Sequence, residues 1–411
     1  MTDATGICFL SYRRTRAVDA ALLIGVLRDR GIPTWQDIAD LGNTLSEVDI
    51  RRILGERSTA SAIMFVTPDV ATSSMIRNVE APIIVGRHLE ADGFVSIVVA
   101  GGGLEYNDID SVVGAHVGPA YMPAWNIRKV TSDPINEQDA ADIADLVLDH
   151  RLMAVAKQFP PDDPLKLVFS SRSPLMKKPG WALAADLTHR FDGRLARPGA
   201  WNAHILPGMR SIRAALQKRT ADREIRCSGQ LCLPAAVALG TEFLSVSGLR
   251  AAWMQELGTF GGQQELWSLY VAPAATTFVA QSIPARVDAT ALALTVSVTH
   301  NIIDDVRSCF KKDFPFRAMV NVYDPALQSA GRRQLSAGEA VQVAQDSIKA
   351  LRAAWAEYKV RGTVHLFLAV PAGLAFLIGQ LLNGFGEVQT YEHVPGQESC
   401  YIRAALLRPS I

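Results

Sequence analysis

The sequence has few cysteines, no net charge and none of the common enzyme motifs, and each shortage excludes a class of protein. Cysteine occurs five times in 411 residues, an odd number scattered along the chain, which excludes a secreted fold held together by disulfides. Cys227 and Cys232 lie close together, but no second pair of metal ligands accompanies them. We therefore expect buried thiols and no metal site.

Nucleotide-binding and hydrolase signatures are also missing. The chain contains no G-x-x-x-x-G-K-[ST], no G-x-G-x-x-G, no H-E-x-x-H and no G-x-S-x-G, which excludes the usual P-loop, dinucleotide, zinc-protease and serine-hydrolase sites. Gly101 to Gly103 follow an apolar run. They form either a simple turn after a strand or a close approach to a phosphate, and the turn is the simpler interpretation.

A targeting or membrane segment is not expected. Met1 to Gly6 is polar and leads directly into a strand-like run, so we expect no signal peptide and a cytoplasmic protein. The longest apolar stretch, His365 to Phe385, is interrupted by Pro371 and Gly373. It predicts a strand, a tight turn and a buried helix better than it predicts a membrane span.

The zero net charge conceals two unlike halves. The whole chain has 41 basic and 41 acidic residues. Residues 1–150 contain 12 basic and 21 acidic residues, a net charge of −9, whereas residues 151–411 contain 29 and 20, a net charge of +9. Such asymmetry indicates two modules with different partners.

The first half alternates strand and helix patterns. Unbroken apolar runs such as Ile7 to Leu10, Ala62 to Thr67 and Phe94 to Ala100 alternate with apolar residues at helical spacing. This pattern predicts an α/β fold with a doubly wound parallel sheet, whose ligand lies at the carboxyl ends of the strands. A helix is expected from Asn136 to Gln158. Residues 159–164, with three prolines, then form the predicted linker.

The second half again mixes strands and helices, and it contains a weak internal repeat. An apolar strand leads into a small or proline-containing turn at Leu231 to Ala235 and again at Leu368 to Ala372. Two such units suggest a pair of Rossmann-like lobes, which we place at residues 165–285 and 286–411, within one domain of residues 165–411.

Polar and aromatic residues follow the predicted strands of the first half at the edge where a ligand is expected. The first strand leads into Ser11, Tyr12, Arg13 and Arg14, and the next motif contains Trp35, Asp37 and Gly42. A third strand is followed by Ser74 and, on the next helix, by Glu80.

These motifs, in this order over roughly residues 6–120, resemble the Toll/interleukin-1 receptor (TIR) family, with residues 1–158 as the domain and its C-terminal helix. Ile76 and Arg77 replace the Trp-Cys that usually lies between the serine and the glutamate, and the connection after Trp35 is a residue or two short. The resemblance implies a flavodoxin-like sheet.

The resemblance also implies an activity, the cleavage of NAD between ribose and nicotinamide, with NAD as a substrate and no cofactor. Nicotinamide leaves as a neutral molecule, so a single carboxylate that stabilises the developing positive charge on the ribose suffices. Glu80 is the candidate catalytic residue. Trp35 and Tyr12 are candidates for stacking on a base, and Arg13 and Arg14 for pairing with the pyrophosphate. The structural alternatives are a solvated Glu80, a core Trp35 and surface arginines.

A second resemblance lies near the C-terminus. Thr363 to Gly379 resembles the closing signature of SAVED domains, sensors of cyclic oligonucleotides built from two fused CARF-like lobes, and Leu292 to His300 resembles the strand that opens the second lobe. The resemblance implies contacts with a cyclic oligonucleotide from Ser297, Thr299, His300, Pro371, Ala372, Gly373 and Phe376. A tight strand–helix turn at Pro371 to Gly373 and a packing role for His300 remain the alternatives.

Together the two domains resemble a TIR-SAVED effector of bacterial antiphage (CBASS-type) signalling. The combination implies that a cyclic tri- or tetranucleotide, with cyclic tri-adenylate as the leading candidate, binds the SAVED domain. Head-to-tail assembly into an oligomer or filament would then activate an NAD glycohydrolase. Two alternatives stay open: a non-catalytic TIR adaptor, and a sensor of linear nucleic acid, which we do not expect as a partner.

Overall fold

The computed structural model describes residues 1–35, 47–114, 126–175, 180–220, 222–258, 262–310, 314–326, 334–396 and 400–409. The fold is mixed α/β with parallel sheets, as predicted. Two compact units can be separated. The first contains Met1–Val168, Leu175–Asp186 and Ala214–Thr220, and the second contains Phe169–Pro174, Leu187–Arg213 and Ala221–Ile411.

A parallel sheet with the strand order β2-β1-β3-β4-β5 is the centre of the first unit. This is the order of flavodoxin-like doubly wound sheets. Every residue of β3 is buried, as expected for a strand that is covered on both faces. The strands are β1 (Ile7–Ser11), β2 (Thr34–Trp35), β3 (Thr59–Val66), β4 (Val95–Ala100) and β5 (Asn126–Lys129).

Helices connect these strands, and single residues mark the end of the first helix and the start of the fifth. Gly31 adopts a positive φ of 74° directly after the first helix, a conformation that glycine adopts without steric cost. The side chain of Asn136 caps the long fifth helix by accepting a hydrogen bond from the Asp139 N–H. The helices are α1 (Ala17–Asp29), α2 (Glu47–Gly55), α3 (Ala81–Leu89), α4 (Ile109–Val113) and α5 (Glu137–Gln158).

The buried Arg151 of α5 ties together several backbone segments of the first unit. Its guanidinium donates hydrogen bonds to the carbonyl oxygens of Thr5, Gly6 and Ala182 at 2.6 to 2.8 Å. Burial lowers the pKa of Arg151 to about 10, so it stays charged at neutral pH. The proline-rich residues 159–164 lie inside this unit; the division into domains at that point stays a prediction.

The second unit contains a six-stranded sheet with the order β13-β15-β14-β16-β17-β18 and a second sheet in which β12, β11 and β10 are neighbours. The remaining strands of the chain are β6 (Leu165–Ser170), β7 (Leu183–Asp186), β8 (Phe191–Asp192), β9 (Leu195–Ala196), β10 (Ile225–Gln230), β11 (Ala251–Glu256), β12 (Gln264–Trp267), β13 (Val279–Pro284), β14 (Ala291–Ser297), β15 (Phe316–Tyr323), β16 (Val364–Ala369), β17 (Val388–His393) and β18 (Tyr401–Leu407). The remaining helices are α6 (Leu206–Thr220), α7 (Leu233–Glu242), α8 (Ile303–Cys309), α9 (Ala337–Glu357) and α10 (Ala372–Gln380).

The internal repeat of the second half has a structural counterpart. In both copies a six-residue strand (β10 or β16) leads into a buried helix (α7 or α10), then a parallel strand (β11 or β17) and an antiparallel one (β12 or β18). The helices α7 and α10 pack on each other through Gly240 and Gly379. A Cβ atom on Gly240 would lie 2.2 Å from the Phe376 carbonyl oxygen, and one on Gly379 would lie 2.3 Å from that of Val237.

Some elements differ from the sequence-based expectations. The apolar pattern of Leu266 to Ala272 predicts a strand over those residues, but β12 ends at Trp267. Ile32 to Trp35 likewise predicts a strand of four residues, but β2 contains two. The apolar stretch from His365 to Phe385 folds as β16, a turn and the buried helix α10, as predicted. Within the described residues we find no helix of the length and apolarity that spanning a bilayer requires.

Candidate functional site

The first candidate site lies at the carboxyl edge of the first sheet, where β1 ends at Ser11. This side chain is 2% exposed, and its hydroxyl has no hydrogen-bond partner within the described residues. A buried hydroxyl without a partner loses free energy relative to water, so this position favours a bound molecule. Tyr12 and Arg13 are half-buried and Arg14 is exposed.

Glu80 is buried, with 7% of its surface exposed. The helix that contains it begins with a cap in which the Ser73 hydroxyl accepts a hydrogen bond from the Ile76 N–H at 3.3 Å. Residues Ile76–Glu80 then form a π-helical turn before α3. Such turns are rare and recur at functional sites. A solvated helix residue, the structural alternative for Glu80, does not fit this burial.

Ser74, the serine chosen from the sequence, is exposed, and its neighbour Ser73 is the helix cap. The residues that replace the usual Trp-Cys are divided between core and surface. Ile76 joins the hydrophobic core, whereas Arg77 is exposed and donates a hydrogen bond to the Ala71 carbonyl oxygen at 3.1 Å.

Trp35 belongs to the core of the first unit and also lines a cavity of about 420 Å³ in that unit. Its ring stacks on Phe9 with centroids 5.0 Å apart and an angle of 14° between the planes, and it is 5% exposed. Phe9 therefore occupies one face of the Trp35 ring, and that face is not available for stacking on a base. Asp37 and Gly42 lie outside the described residues.

Arg13 faces an acidic partner at the same edge. Its Nε lies 3.7 Å from an Asp69 carboxylate oxygen, and Asp69 also accepts hydrogen bonds from Thr15 and Thr67. Burial raises the pKa of Asp69, but these hydrogen bonds and the nearby Arg13 outweigh it and hold the pKa below its usual range. The positive charge of Arg13 is thus partly balanced, and the exposed Arg14 is the more accessible cation.

The second candidate site lies in the second unit, where the parallel strands β14 and β16 end side by side. The N–H groups of Val298 and Thr299 both donate to the Ala369 carbonyl oxygen at 2.9 Å, which fixes the chain beyond β14. Ser297 is fully buried and its hydroxyl accepts a hydrogen bond from the Ile302 N–H at 3.2 Å. Thr299 is half-buried and His300 is exposed, so they are the accessible members of this group.

The helix N-terminus at Pro371 to Gly373 is less open to an anion than the sequence suggests. The Gly373 N–H donates to the side-chain oxygen of Gln255 at 3.0 Å, and those of Leu374 and Ala375 donate to the Pro371 carbonyl oxygen. Pro371 and Ala372 remain half-buried. Backbone donors that already have partners within the protein contribute less to a bound phosphate.

Phe376 is fully buried at the contact of α7 and α10. Its ring centroid lies 6.3 Å from that of Phe243 and 5.8 Å from that of Trp253. The structure thus gives Phe376 a packing role, and the ring has no surface to present to a ligand. An apolar residue at helical spacing does not distinguish a ligand contact from core packing.

Several charged residues that the sequence analysis missed surround a cavity of about 220 Å³ in the second unit. Arg194, Arg197 and Arg403 line this cavity together with Trp201, Cys232 and Glu392. They belong to separate segments of the chain, so no local motif indicates them. In the sequence, the excess of basic residues in this half was the feature that indicated a positively charged site.

Glu392 is the acidic centre of this cluster. Its carboxylate is 6% exposed, accepts a hydrogen bond from Arg172 and lies 3.9 Å from the Arg194 guanidinium. Burial raises the pKa of Glu392, and the two arginines oppose this effect. With several arginines around one carboxylate, the cluster has an excess of positive charge that suits an anionic ligand.

His393 connects the two parts of this site. Burial lowers the pKa of His393, Asp305 opposes this effect, and the nearby His300 and Arg194 lower the pKa further. His300, chosen from the sequence, and Arg194, which was missed, are therefore electrostatic neighbours of the same imidazole. No group of acidic, histidine and cysteine residues suited to a metal ion occurs within the described ranges.

Comparison with known proteins gives a family match within the second half. Residues 209–407 match the family model of SAVED, the "SMODS-associated and fused to various effectors sensor domain". No curated protein matches the chain. Similar solved structures include the Acinetobacter baumannii Cap4 SAVED/CARF-domain containing receptor with the cyclic trinucleotide 2'3'3'-cAAA (14% identity, 89% of this chain and 87% of that chain covered, TM-score 0.49).

The same Acinetobacter baumannii receptor with 3'3'3'-cAAA has 14% identity, covers 89% of this chain and 87% of that chain, and has a TM-score of 0.48. The Moraxella osloensis Cap4 receptor also has 14% identity, with 97% of this chain and 100% of that chain covered and a TM-score of 0.44. These similarities are too low to transfer a residue or a ligand. The family match is sufficient to conclude that residues 209–407 form a SAVED sensor domain.

Proposed function

We propose that this protein is a sensor-effector in which the SAVED domain binds a cyclic oligonucleotide and a TIR domain then cleaves NAD. The buried Glu80 in its π-helical turn carries the enzymatic part of the proposal. The strand order of the first sheet and the unpartnered Ser11 hydroxyl at its carboxyl edge support it.

The chemistry that we infer needs one carboxylate and no metal. As nicotinamide departs, positive charge develops on the ribose, and the Glu80 carboxylate stabilises that charge. Burial strengthens this interaction, because a charge pair in a low-dielectric site attracts more strongly than in water. Ser11 supplies a hydroxyl for the ribose, and Arg14 a cation for the pyrophosphate.

For the sensor we infer a ligand site formed by Thr299, His300 and the arginine cluster around Glu392. A cyclic oligonucleotide carries one negative charge per phosphate, and Arg194, Arg197 and Arg403 supply charges of the opposite sign around one cavity. The family description, a sensor domain, agrees with this role. Cyclic trinucleotides, which the similar Cap4 receptors bind, are the first ligands to test.

We further propose that ligand binding promotes head-to-tail assembly, and that neighbouring TIR domains complete each other's active sites. A contact of this heterologous kind does not close on itself and extends into filaments.

The experiment mixes the full-length protein with NAD and a panel of cyclic oligonucleotides and measures nicotinamide. We expect release only with one class of cyclic ligand, and a loss of at least about 100-fold in Glu80→Gln. Glu90→Gln, an exposed carboxylate that follows α3, is the matched control and should retain activity. Nicotinamide release by no ligand in the panel would refute the enzymatic proposal and favour a non-catalytic adaptor. Full activity of Glu80→Gln would refute the catalytic role of Glu80 but not the proposed cleavage of NAD.

A further inference from the structure

A second cavity, of about 420 Å³, lies in the first unit at the opposite edge of the sheet. Gly6 and Ile7 at the start of β1, Pro33 before β2 and Ser58 before β3 form part of its wall. These are the amino ends of parallel strands. Since β1 has five residues, its two ends are about 13 Å apart, so this cavity is distinct from the edge that contains Ser11.

One buried hydroxyl in this cavity has no partner. Thr34 lines the wall and is 7% exposed, and its Oγ1 has no hydrogen-bond partner within the described part of the chain. Valine at this position would suit a buried strand better than threonine does. A threonine here gains a hydrogen bond only when something occupies the cavity.

The remaining wall is largely apolar. Ile32, Ile53, Leu175 and Trp181 contribute to it, and Ala184 of β7 closes one side. The backbone holds this side in place, because the Ala184 N–H donates to the Gly31 carbonyl oxygen at 2.7 Å. The volume is within the usual range of about 300 to 1,000 Å³ for small-molecule sites.

Charge at the rim does not favour an anion, because two arginines lie among three carboxylates. Arg52 and Glu56 both line the cavity and form an ion pair with each other at 2.7 Å. Arg28 is opposed by Asp3 and Asp186 among the lining residues. A neutral ligand therefore fits this cavity better than a phosphate or a carboxylate.

We propose that this cavity is a binding site for an uncharged aromatic heterocycle, with one polar group directed at the Thr34 hydroxyl. Such a molecule replaces poorly bonded water next to the apolar wall and satisfies the buried hydroxyl. Because Leu175, Trp181 and Ala184 all contribute to the wall, an occupant holds these three residues against the first sheet and stabilises the first unit.

The test uses indole, whose N–H can donate to Thr34, and indene, which has the same shape without the polar group. Binding to the full-length protein is measured by calorimetry and by ligand-observed NMR. We expect indole to bind about fivefold more tightly than indene, a preference equivalent to one net hydrogen bond. Thr34→Val should remove this preference while indene binding remains.

Ala184→Trp fills the cavity and should abolish binding of both probes. If this variant folds poorly, Leu175→Trp, which fills the cavity from a different side, should have the same effect. Circular dichroism checks that each variant is folded. The proposal is overturned if neither probe binds at millimolar concentration, if both filled variants still bind indole, or if Thr34→Val keeps the preference for indole.

Discussion

The close approach of α7 and α10 makes a quantitative prediction about Gly240 and Gly379. A Cβ on Gly240 would lie 2.2 Å from the Phe376 carbonyl oxygen, whereas ordinary contacts begin at 3.4 Å. The obstructing atom is backbone, so a rotamer change cannot relieve the overlap and the helices must separate by about 1 Å. A gap of that size costs a quarter to a half of each contact energy across the interface.

Overpacking of this kind costs about 1 to 3 kcal/mol, and alanine returns about 1 kcal/mol of helix propensity. Because the helices must separate to relieve the overlap, we take the upper end of the overpacking cost, about 3 kcal/mol, and expect Gly240→Ala to destabilise the protein by about 2 kcal/mol. Gly379→Ala should cost the same, since its Cβ meets the Val237 carbonyl oxygen at 2.3 Å. The double variant should cost less than the sum, because the first substitution already separates the helices.

The assay is urea unfolding of the full chain, followed by tryptophan fluorescence, since Trp253 and Trp267 are fully buried in the second unit. Gly86→Ala is the matched control, because Gly86 is also helical but a Cβ added to it would meet no atom within 4 Å. It should stabilise the protein slightly or leave it unchanged. A neutral or stabilising effect of Gly379→Ala would contradict the reasoning.

Two further predictions concern acid stability and ligand binding. Burial lowers the pKa of His365 to about 4 from its ordinary 6.5. The unfolded chain therefore takes up a proton that the folded chain does not, and stability should fall by about 3 kcal/mol between pH 6.5 and 4. His365→Gln should reduce this loss of stability between pH 6.5 and 4, as measured by urea unfolding at several pH values. An unchanged pH dependence in the variant would contradict the prediction. Arg194→Ala should weaken binding of cyclic tri-adenylate about tenfold and reduce the salt slope by about one, as measured by calorimetry at several salt concentrations; an unchanged slope would remove Arg194 from the site.

The regular parts of the fold could be predicted because they depend on local patterns. Continuous apolar runs identified β3 and β4, and a glycine marked the end of α1. Pro371 and Gly373 indicated that the apolar stretch contains the buried helix α10 and not a membrane span. These signals lie within a few residues of the element that they define, so one sequence is enough to find them.

The sites were harder to predict because their residues depend on contacts between distant segments. Trp35 has the aromatic ring that a base would stack on, but its pairing beside β1 places that ring on Phe9 in the core. Ser73 and Ser74 cannot be distinguished without knowing where the helix begins. The arginines around Glu392 come from separate parts of the chain, and only their summed charge was visible in the sequence.

The two copies of the internal repeat differ at Gln255 and Glu392. Gln255 and Glu392 are each the fifth residue of equivalent six-residue strands, β11 and β17. Gly373, the second residue of α10, donates a hydrogen bond from its backbone N–H to the side-chain oxygen of Gln255.

The equivalent position of α7 is Pro234, which has no N–H to donate. Glu392, the counterpart of Gln255 in the repeat, accepts a hydrogen bond from Arg172 instead. The repeat thus places a closed, neutral helix cap on one side and a buried carboxylate with an arginine cluster on the other. Under the proposed function, an oligonucleotide ring with equivalent phosphates would therefore be held mainly from the side of Glu392, and substitutions there should weaken its binding more than equivalent substitutions at Gln255.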